Sequence, residues 1–278
     1  MTLSAAIIST LKYSDHFDFP LTAVEICLRL VGVNSSKLCS QELVFKTLRS
    51  MIISKQIQKT NNFYHLRGRS SLAPLRRRNL EISQPMLSRA KSLAGSLAII
   101  PGVLSIYLTG SLSMSNSTPN SDIDFMIITR PGRLWTTRLL LTIYTSLLGY
   151  RRTPGSKQNT GKLCLNLYLT PQTYLLPSSK RSLYTAYELI QTVPLYDPED
   201  THSALITSNS WIRGYLPNFP LPSPPFQIFS KTSVWSFWDL IESFAYYLQL
   251  SYMHKKITHE YVTKDSAFFH PHNPAPEL

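Results

Sequence analysis

Val103-Leu104-Ser105-Ile106-Tyr107-Leu108-Thr109-Gly110-Ser111, followed after ten intervening residues by Asp122-Ile123-Asp124-Phe125-Met126-Ile127-Ile128, sets the fold of this 278-residue chain. Each half is a short apolar run bounded by turn-forming residues, the pattern of a buried strand. On a strand, residues two apart share a face. Asp122 and Asp124 therefore project together, while Ile123, Phe125 and Ile127 point the other way and can bury. Gly110 allows a backbone turn to approach phosphate oxygens closely, and Ser111 offers both an amide and a hydroxyl donor. Two carboxylates side by side repel, which suits them to share a hard divalent cation, Mg2+ or Mn2+. Such an ion would bridge a triphosphate as a hydroxyl attacks the α-phosphorus.

Working outward, Pro131-Gly132 ends the second run and a long helix is expected from about Arg133. Lys162 to Leu169 reads as a further strand and Leu183 to Gln191 as a helix. Residues 71–100 read as a connecting helix through Leu87, Ala90, Leu93, Ala94 and Leu97, with Arg76-Arg77-Arg78 on it. Residues 1–70 read as three helices and a hairpin. Ile7, Ile8 and Leu11 mark the first, the capping box Thr22-Ala23-Val24-Glu25 opens the second, and Leu43, Val44, Leu48, Met51 and Ile52 mark the third. Asn61-Asn62 supplies the hairpin turn. That order is the order of a winged helix-turn-helix. Residues 201–278 read as a helical C-terminal region, with a Pro-rich linker from Leu216 to Pro225 and an aromatic-rich helix from Trp235 to Ile257. Trp211, Trp235, Trp238, Tyr246 and Tyr247 are expected to be core or interface anchors. The expected class is α+β: a winged-helix domain (1–70), the connecting helix (71–100), a mixed-sheet catalytic core (101–200) and the helical C-terminal region (201–278).

With 43% hydrophobic and 16% charged residues, the chain has enough apolar material to bury a core and too little charge to stay disordered. The net charge is +12, and residues 1–80 hold twelve Lys/Arg against four Asp/Glu, so +8 of the excess lies there. A basic N-terminal third invites a polyanionic partner. Lys46 and Arg49 on the third helix, with Lys59, Arg67 and Arg69 on the wing, are the residues that would meet DNA; the alternative is a packing module with a solvated basic face. Cys27, Cys39 and Cys164 are widely spaced with no CxxC pair, which fits a reducing cytoplasm. No basic stretch precedes the apolar patch Ala5–Ile8, so a signal peptide is not expected. Leu134–Leu148 contains Arg138 and is short of the roughly 20 apolar residues a spanning helix needs, so no membrane span is expected.

In its Gly-Ser turn and Asp-x-Asp strand the chain resembles the DNA polymerase beta-like nucleotidyltransferase superfamily. The wider arrangement, through Pro131-Gly132-Arg133-Leu134-Trp135, Lys162-Leu163-Cys164-Leu165-Asn166 and Leu183-Tyr184-Thr185-Ala186-Tyr187-Glu188, resembles members with an N-terminal winged helix. The resemblance implies transfer of NMP from NTP to a hydroxyl acceptor, with Asp122 and Asp124 as metal ligands and catalytic residues and Gly110 and Ser111 on the nucleotide. Active members add a third carboxylate on a neighbouring strand. Here that strand is Lys162–Leu169 and the polar residue in it is Asn166, an amide without charge and no useful base. Either Asn166 fills the place or another carboxylate does, Glu188 being nearest in sequence. Arg130, Arg133 and Lys162 are further candidate phosphate contacts, and His270 and His272 have a metal-like spacing but read more simply as tail residues. Two other functions stay open: a DNA-associated regulator whose weak transferase core senses nucleotide, and a scaffold that uses the aromatic-rich helix.

Overall fold

The structure is a computed structural model and describes residues 1–32, 39–152, 161–223, 237–254 and 261–268. Three helices open the chain: α1 (Leu3–Asp15), α2 (Ala23–Leu28) and α3 (Gln41–Ile53). Each begins on a hydroxyl cap. Thr2 accepts from Ala5 N, Ser40 accepts from Leu43 N, and Thr22 with Glu25 forms the expected capping box. Such caps satisfy amides that would otherwise lack partners, each contributing about 1 kcal/mol. The helices bury Ile7, Leu11, Ile26, Val44, Leu48 and Met51 against one another. The hairpin follows as β1 (Gln58–Thr60) and β2 (Phe63–His65), and Asn61 turns it at φ +55°. The connecting helix is α4 (Leu72–Leu97).

From residue 103 the chain runs β3 (Val103–Thr109), a one-turn α5 (Gly110–Ser113), β4 (Ile123–Thr129), α6 (Leu134–Leu147) and β5 (Leu163–Leu169). Then come α7 (Leu183–Ile190), β6 (Val193–Tyr196), α8 (Thr201–Ser208), α9 (Ile212–Tyr215), α10 (Phe237–His254), β7 (Tyr261–Val262) and β8 (Ser266–Phe268). Among the described residues they make a mixed six-stranded sheet in the order β6-β3-β4-β5-β8-β7. The β4–β5 pair is parallel and every other pair is antiparallel. The chain is thus α+β.

Alternation along the central strands divides the core in two. Ile106, Leu108, Phe125 and Ile127 face α4, α6 and α10 through Leu97, Trp135 and Ala245. Tyr107, Met126 and Ile128 face α7, α8 and α9 through Tyr187, Leu205 and Ile212. Asp124 has the parity of Met126 and Ile128, so the carboxylate pair belongs to the α7 side of the sheet.

The C-terminal boundary differs from expectation. Beyond residue 200 the chain is not wholly helical, because β8 pairs with β5 and carries β7, returning to the core sheet from about 100 residues away. The strand β6 and the helix α8 were also not foreseen; Pro194 sits in β6 at the sheet edge, where its missing N–H costs no ladder bond. Trp238 and Tyr247 are 55% and 59% exposed, so neither is a core anchor. Trp135 is the buried tryptophan instead, its indole N–H donating to the carbonyls of Thr263 and Lys264 at 3.2 and 3.1 Å. Glu242 of α10 accepts from the Trp135 and Thr136 amides at 2.6 and 2.9 Å and so caps α6. No described helix is long and apolar enough to cross a membrane. Trp235, His270 and His272 lie outside the described residues.

Candidate functional site

Thr109, the last residue of β3, stands opposite Asp124 near the start of β4, so the turn at Gly110 sits at the same end of the sheet as the two carboxylates. Gly110 has φ +65°, and a Cβ placed on it would lie 2.5 Å from Asp124 Oδ2. Glycine is required here twice over: the backbone is left-handed, and the carboxylate occupies the space a side chain would take. Ser111 follows on the exposed side of the turn.

On the other flank Asp124 is in register with Cys164 of the parallel β5, and a register shift after Phe125 leaves Asn166 as the extra residue of β5. Asn166 consequently shares the carboxylate face. Its amide Nδ2 donates to Asp124 Oδ1, and its Oδ1 accepts from the Cys164 thiol at 2.5 Å. Asp122 is held from outside by Arg152, with Nη1 to Oδ2 at 2.7 Å. One potential ligand atom from each of Asp122, Asp124 and Cys164 lies within 4.8 Å of the others.

Burial pushes the Asp124 carboxyl up to about 7, and the neighbouring Asp122 charge pushes the same way; the Asn166 amide opposes both. A carboxylate so placed lacks positive charge, which a divalent cation between Asp122 and Asp124 would supply. The residues therefore fit a hard cation with two oxygen ligands. Burial and the two carboxylates drive the Cys164 thiol up to about 12, so it remains protonated and offers no thiolate as it stands. Glu188 of α7 is likewise pushed up to about 7 by burial, against a hydrogen bond from Tyr184. The Tyr184 phenol is raised by burial and by the charges of Glu188 and Asp124, and Tyr184 and Glu188 line one cavity with Gly110 and Ser111.

Gly110, Ser111, Asp122, Asp124 and Asn166 thus converge, and Glu188 approaches from α7. Arg130 does not. It follows β4 at the far end from Asp124, about 20 Å away at roughly 3.3 Å per residue, and pairs with Glu199 at 3.2 Å. Arg133 lies beyond it and pairs with Asp239 at 3.7 Å. Lys162 is at the correct end of the sheet, its carbonyl accepting from Ile123 N at 2.8 Å, but its ammonium donates to the Gly149 carbonyl at 2.6 Å. In the basic N-terminal third, Arg69 is committed to Asp15 and Asp18, and Arg76 to Glu25, so neither guanidinium is a free phosphate contact.

Cys164, Arg152 and Tyr184 are site residues that sequence reasoning passed over. Cys164 was legible in principle: two residues before Asn166 on one strand, it shares the Asn166 face. Tyr184 precedes Glu188 by one helical turn, the same kind of signal. Arg152 follows α6 in a loop and carries no local mark. No protein-family model, curated protein or solved structure matches this chain.

Proposed function

We propose that the chain is a metal-dependent nucleotidyltransferase of the polymerase beta-like kind, moving NMP from NTP to a hydroxyl acceptor. The observation that carries this reading is the close packing of the Gly110 turn against Asp124, whose half-buried carboxyl is pushed up to about 7 beside Asp122. Asp122 and Asp124 would hold Mg2+ or Mn2+, and the bound ion supplies positive charge that polarises the triphosphate oxygens. The Gly110 turn brings backbone against the phosphates, and Ser111 donates to them. Arg152 neutralises Asp122 in the metal-free state; displaced by the cation, it is within reach to pair with phosphate. Asn166 orients Asp124 through its amide, and Glu188, poised near neutrality, takes the acceptor proton. The three cysteines are free, in keeping with a cytoplasmic protein. On this reading residues 1–70 are a winged-helix domain.

The direct test is incubation of the full chain with α-labelled NTPs, magnesium and cell lysate. Label should pass to an acceptor with wild type and not with Asp122→Asn/Asp124→Asn. Metal-dependent NTP binding without any transfer would favour a second reading, a DNA-associated regulator that senses nucleotide. That reading has its own support: a cavity of about 440 Å³ between α3 and the hairpin is lined by Lys55, Lys59 and Arg67, and Lys46 and Arg49 stand exposed on α3. Any DNA affinity there should be largely sequence-independent and fall with salt, log affinity dropping by about 0.9 per phosphate contacted for each log unit of salt.

A further inference from the structure

Between the N-terminal helices and the Gly110–Ser111 turn lies a cavity of about 280 Å³. Much of its lining is aromatic. Tyr13 and Phe17 come from the N-terminal side and Tyr184 and Tyr187 from α7, with the Tyr13 and Tyr187 rings stacked 4.1 Å apart. Two groups of opposite charge face into it, Arg29 and Glu188. Arg29 is short of partners: its side-chain hydrogen bond among the described residues goes to the Met114 thioether at 3.4 Å, a weak acceptor for a group with five N–H donors. The nearby Glu25 carboxylate is occupied by Arg76, at 2.6 and 2.8 Å. The backbone around Arg29 is fixed, since its carbonyl accepts from the Tyr187 hydroxyl at 2.9 Å.

We propose that this cavity is the acceptor subsite, and that it takes a small planar molecule presenting a hydroxyl to Glu188 and a carboxylate to Arg29. The proposal rests on the nucleotidyl-transfer reading and adds the acceptor's chemical class to it. The group that receives the acceptor's proton must touch the acceptor, and Glu188 lines the cavity together with Gly110, whose turn packs against Asp124. Gly110 and Ser111 line the same cavity, so its occupant sits next to the phosphates they would hold. The acceptor O–H bond breaks with its proton passing to the Glu188 carboxylate. The acceptor oxygen bonds to the α-phosphorus, the bond from that phosphorus to the bridging oxygen breaks, and pyrophosphate leaves with the electron pair. A space at the small end of ligand pockets, walled by aromatic rings, suits a flat ring and leaves no room for a duplex or a folded protein segment. The Arg29 guanidinium, over the Phe19 ring at 5.9 Å and with only a thioether as side-chain hydrogen-bond acceptor among the described residues, can engage a planar carboxylate bidentately. The N-terminal wall of the acceptor pocket is then the end of α1 with Phe17, Phe19 and Arg29, the residue that follows α2.

The test uses the full chain, without metal or NTP, titrated calorimetrically with 4-(hydroxymethyl)benzoate and with benzyl alcohol. The carboxylate probe should bind at least tenfold more tightly, and Arg29→Gln should erase that difference while leaving benzyl alcohol affinity unchanged. Equal affinity for the two probes in wild type, which requires no variant to fold, would overturn the proposal, as would selectivity that survives Arg29→Gln. Loss of probe selectivity with metal-dependent ATP binding intact sinks the acceptor subsite alone. Probe selectivity without any ATP binding sinks the transfer reading and the acceptor role with it.

Discussion

Replacing Asp124 by Asn should stabilise the metal-free protein above neutral pH. The Asp124 carboxyl is held at about 7 in the fold against 3.8 in its ordinary state, because burial and Asp122 both oppose its charge. Between those two values the folded chain keeps a proton that the unfolded chain has released. Stability therefore falls as pH rises from about 4 to about 7 and levels off above it. Three pH units at 1.36 kcal/mol each set the upper bound at about 4 kcal/mol. An asparagine keeps an acceptor oxygen for the Asn166 amide and turns its own amide toward the Asp122 carboxylate, so the hydrogen bonds survive the change. We expect a gain of about 2–4 kcal/mol at pH 8, falling to nearly nothing at pH 4.5, where the wild-type carboxyl is protonated too. Urea denaturation in chelator at both pH values measures this. Magnesium should then stabilise wild type at pH 8 and leave Asp124→Asn unmoved, since a ligand adds stability only to a state that binds it. A loss of stability at pH 8, or a gain of equal size at both pH values, would show that burial and Asp122 do not hold the Asp124 carboxyl up to about 7.

Three further outcomes follow from the same geometry. Mn2+ affinity, followed by electron paramagnetic resonance, should fall about tenfold for each pH unit below 7, because the cation must displace the Asp124 proton; a flat profile would place the ion elsewhere. Asn166→Asp puts a carboxylate against Asp124, so the metal-free variant should lose on the order of 2 kcal/mol at pH 8 while binding Mn2+ at least tenfold more tightly. Unchanged metal affinity would show that position 166 does not face the ion. Cys164→Ser should leave magnesium-dependent ATP binding within threefold, since the thiol held at about 12 is no ligand for a hard cation; loss of binding would point to a softer metal such as zinc.

What the sequence disclosed is what neighbouring residues decide among themselves. The Thr22–Glu25 capping box, the turn at Asn61, the two apolar strands and the nearness of the Asp122 and Asp124 carboxylates depend on spacing alone, and each is present, although Asp122 itself lies one residue before β4. The placement of Asn166 against Asp124 was expected from the family resemblance, and the register shift that frees it to point there is a property of the β4–β5 pairing. Elements whose identity comes from distant partners stayed hidden. The strand β8 is three residues long and exists because β5 offers it an edge, and β6 contains a proline that argues against a strand until its edge position is known. Arg130 and Arg133 were misjudged by reading nearness in sequence as nearness in space: a seven-residue strand carries the chain to the opposite end of the sheet. Cys164 was weighed as a redox marker and so overlooked as a neighbour of Asn166. Arg152 comes to Asp122 from a loop 30 residues on, and no local pattern announces it.

The central claim is that Asp122 and Asp124 jointly hold the cation through which NTP binds. Calorimetric titration of ATP and GTP into the full chain, with magnesium and then with chelator, tests it most directly when repeated on Asp122→Asn/Asp124→Asn. Wild type should bind in magnesium and not in chelator, and the double variant should bind in neither buffer. Equal affinity in the double variant, or in chelator, would contradict it.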